Sequence, residues 1–396
     1  MRIGIDARYA FRTERRGIGE YVAALLAHLP AVADERDRFI LYVDRRADTG
    51  AVAVRDARFT VRRLPAANMV LWEEVALPLA AARDRVDLLH LTSNYGPSLA
   101  PCPTVYTIHD LIEWIRPQLG PWRLPVRHRL GRAVRIRTLP RQVRRAGAVI
   151  AVSQASRDDL VRLLGLPADR VHVIPHGVGD DFVPAAAPGE VRRGLRLRGF
   201  AVPDRYVLAL GALDPRKNGQ FLMRAFEKVH ARLPDVHLWI VGVERPEEYP
   251  VPFPSPPGWL TVLGYVEREV LVGLMQGAAA FVYPSLYEGF GLPVLQAMAC
   301  GVPVLASNHP VHREVSGGAA VLFDPSDVDD LAGRLSALLS DEFLWRQCAR
   351  AGLEVRNGFS WQATARRTYD VYRHAVRMGM LRGGQRAERP HPAQER

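Results

Sequence analysis

The chain is predicted to be an α/β protein built from two doubly wound, parallel-sheet domains. A length of 396 residues is too great for one ordinary core and suits two. Short apolar runs rich in β-branched residues alternate with amphipathic stretches, the pattern of buried parallel strands covered by helices. That alternation breaks near residue 176 and restarts near residue 206.

In order along the chain, the first set of strands is expected at residues 2–6, 39–43, 87–91, 104–108, 147–152 and 171–175. These define an N-terminal domain over 1–178. Residues 179–204 carry VPAAAPGE, a short basic stretch and a further proline, and read as a linker. A second set follows at 206–211, 237–242, 260–264, 279–285, 302–307 and 319–323, giving a C-terminal domain over 205–358. From about Pro325 the chain reads helical, and residues 384–396 read as a disordered polar tail. No repeat of solenoid period is present.

Composition narrows the function classes. Hydrophobic residues are 48% and charged residues 24%, the balance of a globular protein rather than a disordered one. No apolar run approaches the roughly 18 residues of a membrane span, and Arg2, Asp6 and Arg8 interrupt any signal-peptide core, so a cytoplasmic location is expected. Cys102, Cys300 and Cys348 are far apart and form no CxxC pair, which argues against a disulfide framework or a zinc site. The net charge of +11 is almost wholly arginine, Lys217 and Lys228 being the only lysines. Such a surface attracts nucleic acid, anionic lipid or phosphorylated substrates. Residues 116–145 hold ten arginines and no acidic residue, interleaved with Trp122, Leu124, Val126, Leu130, Val134 and Ile136. This stretch is compatible with a peripheral contact at the inner face of an anionic membrane, and equally with a solvated basic helix.

Chemistry concentrates in FVYPSLYEGFGLPVLQAMACGVPVLAS, residues 281–307, which reads strand, loop, helix, strand. Pro293 suits the first helical turn, where its missing N–H costs nothing, and Gly301 with Pro303 supplies the stop. Gly289, Phe290, Gly291 and Leu292 therefore present bare backbone N–H groups at the positive end of a helix, an anion site suited to phosphate. Glu288, at its lip, would repel phosphate but accept hydrogen bonds from a neighbouring sugar hydroxyl. Arg216 and Lys217, in the loop after the strand at 206–211, could neutralise a diphosphate. His109 after the strand at 104–108, and Gly17 with Gly19 before an amphipathic helix, are weaker signals. The GIG turn is not a dinucleotide fingerprint, because Val22 stands where a third glycine or alanine is needed.

Taken together the sequence resembles the retaining glycosyltransferase family four, whose members have the GT-B fold of two Rossmann-like domains facing a central cleft. The resemblance runs in order through GIDAR, RGIGEY, TVYTIHD, VIAVSQASRDDL, VIPHGV, GALDPRKN, LTVLGYV and PSLYEGFGLPVLQAMACGVPVLAS. It implies that Arg216 and Lys217 meet the donor diphosphate, and that Glu288 with the backbone of Gly289, Phe290 and Gly291 grips the donor hexose. It further implies that His109 lies beside the donor sugar, Gly17 and Gly19 border diphosphate and acceptor, and Tyr265 with Val266 lies near the base. The family's usual second Glu, eight positions after the first and bonded to ribose, is replaced by Gln296. A C-terminal helix at about 359–380 packing back on the first domain is also implied.

The expected activity is transfer of a hexose from a nucleotide-diphosphate sugar to an acceptor hydroxyl of a glycan or lipid-linked glycan, with retention of configuration. GDP-mannose is the first donor choice, since the PRKN loop is most like mannosyl- and rhamnosyl-transferring relatives. The one Asp-x-Asp, Asp327-Val328-Asp329, opens an amphipathic run and reads as helix N-terminal charge, so no metal and no other cofactor is expected. No nucleic-acid partner is expected. The alternatives left open are a noncatalytic donor-binding subunit and a sugar-nucleotide epimerase or phosphorylase on the same fold.

Overall fold

A computed structural model describes residues 1–48, 50, 52, 56–66, 68–119, 126–211 and 214–387; the side chains of 126–130 and 380–387 are not described. The chain forms two compact units: the first comprises residues 1–111, 124–175 and the chain from Trp361, and the second comprises residues 112–123 and 176–360. The first unit holds the N-terminal sheet and the C-terminal helix, and the second holds the other sheet.

Each sheet is wholly parallel. The first has seven strands: β1 (Arg2–Asp6), β2 (Arg38–Val43), β3 (Phe59–Arg63), β4 (Leu88–Leu91), β5 (Thr104–Ile108), β6 (Ala148–Ala151) and β7 (Val171–Val173), in spatial order 3-2-1-4-5-6-7. The second has six: β8 (Tyr206–Leu210), β9 (His237–Val241), β10 (Leu260–Val262), β11 (Ala280–Tyr283), β12 (Val304–Ser307) and β13 (Val321–Phe323), in order 10-9-8-11-12-13. Counted from its own first strand, the second sheet reads 3-2-1-4-5-6 and the first reads the same with a seventh strand added at the edge, the doubly wound order whose direction reverses beside the first strand. Both faces are buried, so the strands are near-continuous apolar runs such as YVLAL and AFVY.

Three features differ from the sequence expectation. Strand β3 was not anticipated, because FTVRR offers only Phe59 and Val61 as apolar residues; it is an edge strand, held by pairing along β2 and by Phe59 stacked on Phe39 at 4.9 Å. The stretch 179–204, expected as a linker, contains the helix Pro188–Leu197, which packs on the Arg268–Gly277 helix through buried Leu195 against Gly273. Its proline is at N1, the position that starts a helix rather than breaking one. The tail expected from residue 384 is helical at residues 384–387, where the helix Trp361–Ala387 runs on; residues 388–396 lie outside the described residues.

That helix packs in the first unit, against the helix Gly17–Val32. Tyr369 donates to Asp37 (2.7 Å), Thr364 to the Pro175 carbonyl (2.7 Å) and Arg366 to the Val32 carbonyl (3.0 Å). Tyr372 meets His90 Nδ1 at 2.6 Å, His90 Nε2 meets Thr107 Oγ1 at 2.8 Å, and Thr107 meets Tyr21 at 3.0 Å. This buried chain of four side chains joins the two helices through the centre of the sheet.

Candidate active site

In an open parallel sheet, ligands bind outside the carboxyl ends of the strands where strand order reverses. In the second unit that point lies between β8 and β11, which pair in register Ala280↔Val207 and Phe281↔Leu208. The loop after β8 carries Arg216 and Lys217; the loop after β11 carries Glu288. Adjacent strands thus bring together residues more than seventy positions apart in sequence.

The contacts are specific. Lys217 Nζ lies 2.8 Å from Glu288 Oε1 and 2.6 Å from the Tyr283 hydroxyl, and Arg216 reaches Glu288 Oε2 at 3.5 Å. Ser285 Oγ donates to Glu288 Oε1, and Leu286 N donates to the Arg216 carbonyl at 2.8 Å, tying one loop to the other. Asp214 shapes the basic turn: its carboxylate accepts from Arg216 N at 2.9 Å and from Arg216 Nε at 3.1 Å. Burial works against the Glu288 carboxylate, but Arg216 and Lys217 outweigh it and hold its pKa below the usual range. Glu288 is ionised, and two cations are paired by two carboxylates.

Next to this cluster the helix Leu292–Ala299 begins, with Pro293 in its first turn. Gly291 has φ +84°, a conformation costly for any residue with a Cβ, and an added Cβ would also press on the His312 ring at 3.4 Å. Phe290 is 4% exposed, and its ring packs on His176 and Phe359, with centroids 4.7 and 5.8 Å away. Gln296, one turn into the helix, is buried. Tyr265 and Val266 follow β10, Tyr265 being exposed.

Nothing in the sequence pattern marks Asp214, Tyr283, Ser285 or His312. His312 is fully buried; its Nδ1 lies 2.9 Å from the Ser307 carbonyl, and Nε2 has no hydrogen-bond partner. Burial pushes its pKa down to about 4. Tyr283 and Ser285 stood inside the motif, but only the fold turns them toward Lys217 and Glu288.

In the first unit the corresponding reversal point lies between β1 and β4. His109 follows β5, with its backbone N–H on Asn94 Oδ1 (2.6 Å), Nε2 on the Thr92 carbonyl (2.8 Å) and its ring edge-on to Tyr21 at 5.0 Å. Burial lowers its pKa. Gly17 opens the helix Gly17–Val32, and Gly19 lets that helix approach strand β1's exit loop, since a Cβ there would stand 2.6 Å from the Tyr9 carbonyl oxygen. Asp327 caps the helix Val328–Ser340 by accepting from the N–H groups of Asp329 (2.9 Å) and Asp330 (3.1 Å), and Asp329 pairs with Lys228. The Asp-x-Asp stretch is a helix start, as its charge pattern indicated.

Residues 15–182 match the family Glycosyltransferase Family 4, and residues 204–341 match Glycosyl transferases group 1. The O-antigen chain mannosyltransferase B of Escherichia coli is 33% identical over 308 residues, 74% of this chain and 76% of that protein. The chain is a family 4 glycosyltransferase. This glycosyltransferase is also 31% identical to the serotype-specific mannosyltransferase WbdA of Escherichia coli over 235 residues, 58% of this chain but 29% of that protein. Among solved structures, HepE of Anabaena in complex with UDP-glucose aligns with a TM-score of 0.63 at 18% identity, covering 97% of this chain and 99% of that one. The two parallel sheets of the glycosyltransferase are those of the GT-B fold.

Proposed function

We propose that this glycosyltransferase moves a mannosyl group from GDP-mannose to a hydroxyl of a glycan acceptor with retention of anomeric configuration and without a metal ion. The observation that carries the reading is the meeting of Arg216 and Lys217 at Glu288, which stands just ahead of a helix N-terminus in the chain. As the bond between sugar C1 and phosphate breaks, positive charge grows on the ring and negative charge on the departing diphosphate. Arg216, Lys217 and the N–H groups before Pro293 stabilise that leaving group electrostatically. Glu288, released from part of its pairing as the cations turn to phosphate, accepts from donor-sugar hydroxyls. Gln296 bonds the ribose, and Tyr265 with Val266 borders the base.

His109, Gly17 and Gly19 belong to the first unit, read here as the acceptor-binding domain. Attack by the acceptor on the face the diphosphate leaves, within a short-lived ion pair, gives retention without a carboxylate nucleophile. The choice of mannose rests on the similarity to two mannosyltransferases. The acceptor is read as lipid-linked, with a peripheral contact between anionic membrane and the basic stretch 116–145, of which 120–125 lie outside the described residues.

The test is a thermal-shift screen against GDP, UDP, dTDP and their sugars. A ligand at a hundred times its dissociation constant adds roughly 2.7 kcal/mol to the stability of the state it binds. Stabilisation by GDP and GDP-mannose above the others supports the assignment. A response confined to uridine or thymidine nucleotides replaces the donor, and no response to any nucleotide removes the site.

A further inference from the structure

We infer that the outward face of residues 69–83 is an apolar wedge that enters an anionic bilayer beside the arginine-rich helix Val126–Arg145, an inference that rests on the lipid-linked acceptor proposed above. Asn68 caps this helical run by accepting from Leu71 N at 2.9 Å. The run begins as Met69–Leu71, passes through a π-helical turn at Trp72–Ala76 and ends as Leu77–Arg83. Trp72 and Leu77 turn inward, and Trp72 lies under the Arg8 guanidinium at 4.8 Å. Leu71, Val75 and Leu79, at spacings of four, face outward with exposures of 45%, 45% and 65%, and Val70 is 54% exposed.

Single exposed apolar residues need no explanation, whereas a contiguous set marks a surface that meets something. Contiguity extends beyond the helix. Glu74 accepts from both the N–H and the hydroxyl of Ser98 at 2.9 Å, which sets Leu99, 75% exposed, beside the same face. The loop holding Leu99 is fastened on its other side to the basic helix: Gln142 donates to the Gly96 carbonyl at 2.6 Å, and Arg135 lies over the Tyr95 ring at 4.2 Å. That helix carries eight arginines and no acidic residue, with Arg137, Arg141, Arg145 and Val134 exposed.

An apolar patch bordered by a wholly basic helix is the arrangement by which a protein inserts side chains below anionic headgroups while guanidinium groups stay among the phosphates. A second copy of the chain fits less well, because a two-fold interface would set the basic helix against its own like. The lipid-facing side chains belong to no part of the transfer site, so their removal leaves donor binding intact.

The test is flotation of the full chain with phosphatidylcholine vesicles, with and without phosphatidylglycerol, at low and at molar salt. Molar salt shortens the screening length to about 3 Å, so binding that survives it reports apolar insertion. The wild type is expected to bind the anionic vesicles and to keep a fraction bound at high salt. Replacing Leu71, Val75 and Leu79 together by serine should lower the high-salt fraction about tenfold or more, as several side chains cease to leave water. Leu79→Ser alone should lower it less, with both proteins melting as the wild type does. Serine variants that float like the wild type overturn the wedge, as does a wild type that ignores both vesicles. A wild-type dimer that the serine variants dissociate also overturns it, in favour of a self-interface. Stabilisation by GDP-mannose, followed in the same proteins, keeps the readings apart: vesicle binding without it removes the donor assignment and leaves the wedge standing.

Discussion

At Gln296 the difference between an amide and a carboxylate is testable. A carboxylate accepts from both hydroxyls of a ribose and gains from the helix N-terminus, whereas the amide presents one acceptor oxygen and a donor nitrogen. Hydrogen bonds to charged groups contribute roughly 1.5 to 3 kcal/mol against 0.5 to 1.5 for neutral ones, so under the proposed ribose contact Gln296 would forgo about 1 kcal/mol, about fivefold in affinity. Gln296→Glu is therefore expected to keep turnover and tighten donor binding, measured as a dissociation constant beside the wild type. Collapse of activity would mean that the amide makes a contact no carboxylate can make. At this same scale, Glu288, Arg216 and Lys217 stood out in the sequence because charge beside a glycine-rich helix start has few structural uses, and the fold brings the three side chains into contact. Tyr283 did not, because its contact with Lys217 arises from the pairing of β8 with β11, which no local pattern encodes, and Asp214, Ser285 and His312, though bonded to residues two to five positions away, carry no motif of their own.

Between elements, the buried hydrogen-bonded chain from Tyr21 through Thr107 and His90 to Tyr372 fastens the C-terminal helix to the first unit and makes the fold acid-sensitive. Burial pushes the His90 pKa down to about 3, and burial also lowers those of His109 and, in the second unit, His312, to about 4 for the latter. With folded values below the unfolded one of about 6.5, the unfolded chain binds more protons on the acid side. The stabilisation is complete above that pH and is lost as pH falls toward the folded values. Each imidazole costs on the order of 1 kcal/mol per pH unit in that window. Glu73, raised to about 7 by burial, acts in the opposite sense between its unfolded value and neutrality, and one carboxyl does not offset three imidazoles. Denaturation midpoints should fall steadily from pH 6.5 to 4; a flat or rising profile contradicts the neutral buried network. The strands of both sheets were readable from apolar runs. Strand β3 and the helix Pro188–Leu197 were not, because an edge strand and a short surface helix bury too few residues to leave a pattern.

For the whole molecule, two sheets of one strand order offer two reversal points that are equipped differently: in the second unit Arg216 and Lys217 meet Glu288 beside a glycine-rich helix start, whereas in the first Arg8 is paired with Asp6 ahead of the helix that opens at Gly17. This asymmetry is why the proposal assigns the donor to the second unit and the acceptor to the first. It is also why membership of the glycosyltransferase class was legible once the motifs were taken in order, while the acceptor, whose surface carries no comparable signature, was not. The central claim is that paired cations, rather than a metal ion, carry the leaving diphosphate. The most direct measurement is mannosyl transfer from GDP-mannose in the presence of a chelator by the wild type, Lys217→Ala and Glu288→Ala, with melting curves alongside. The wild type should turn over unaided, and each variant should fold but lose on the order of a hundredfold or more in rate. Near-normal turnover by both variants, or a wild type silent until a divalent cation is added, would contradict it.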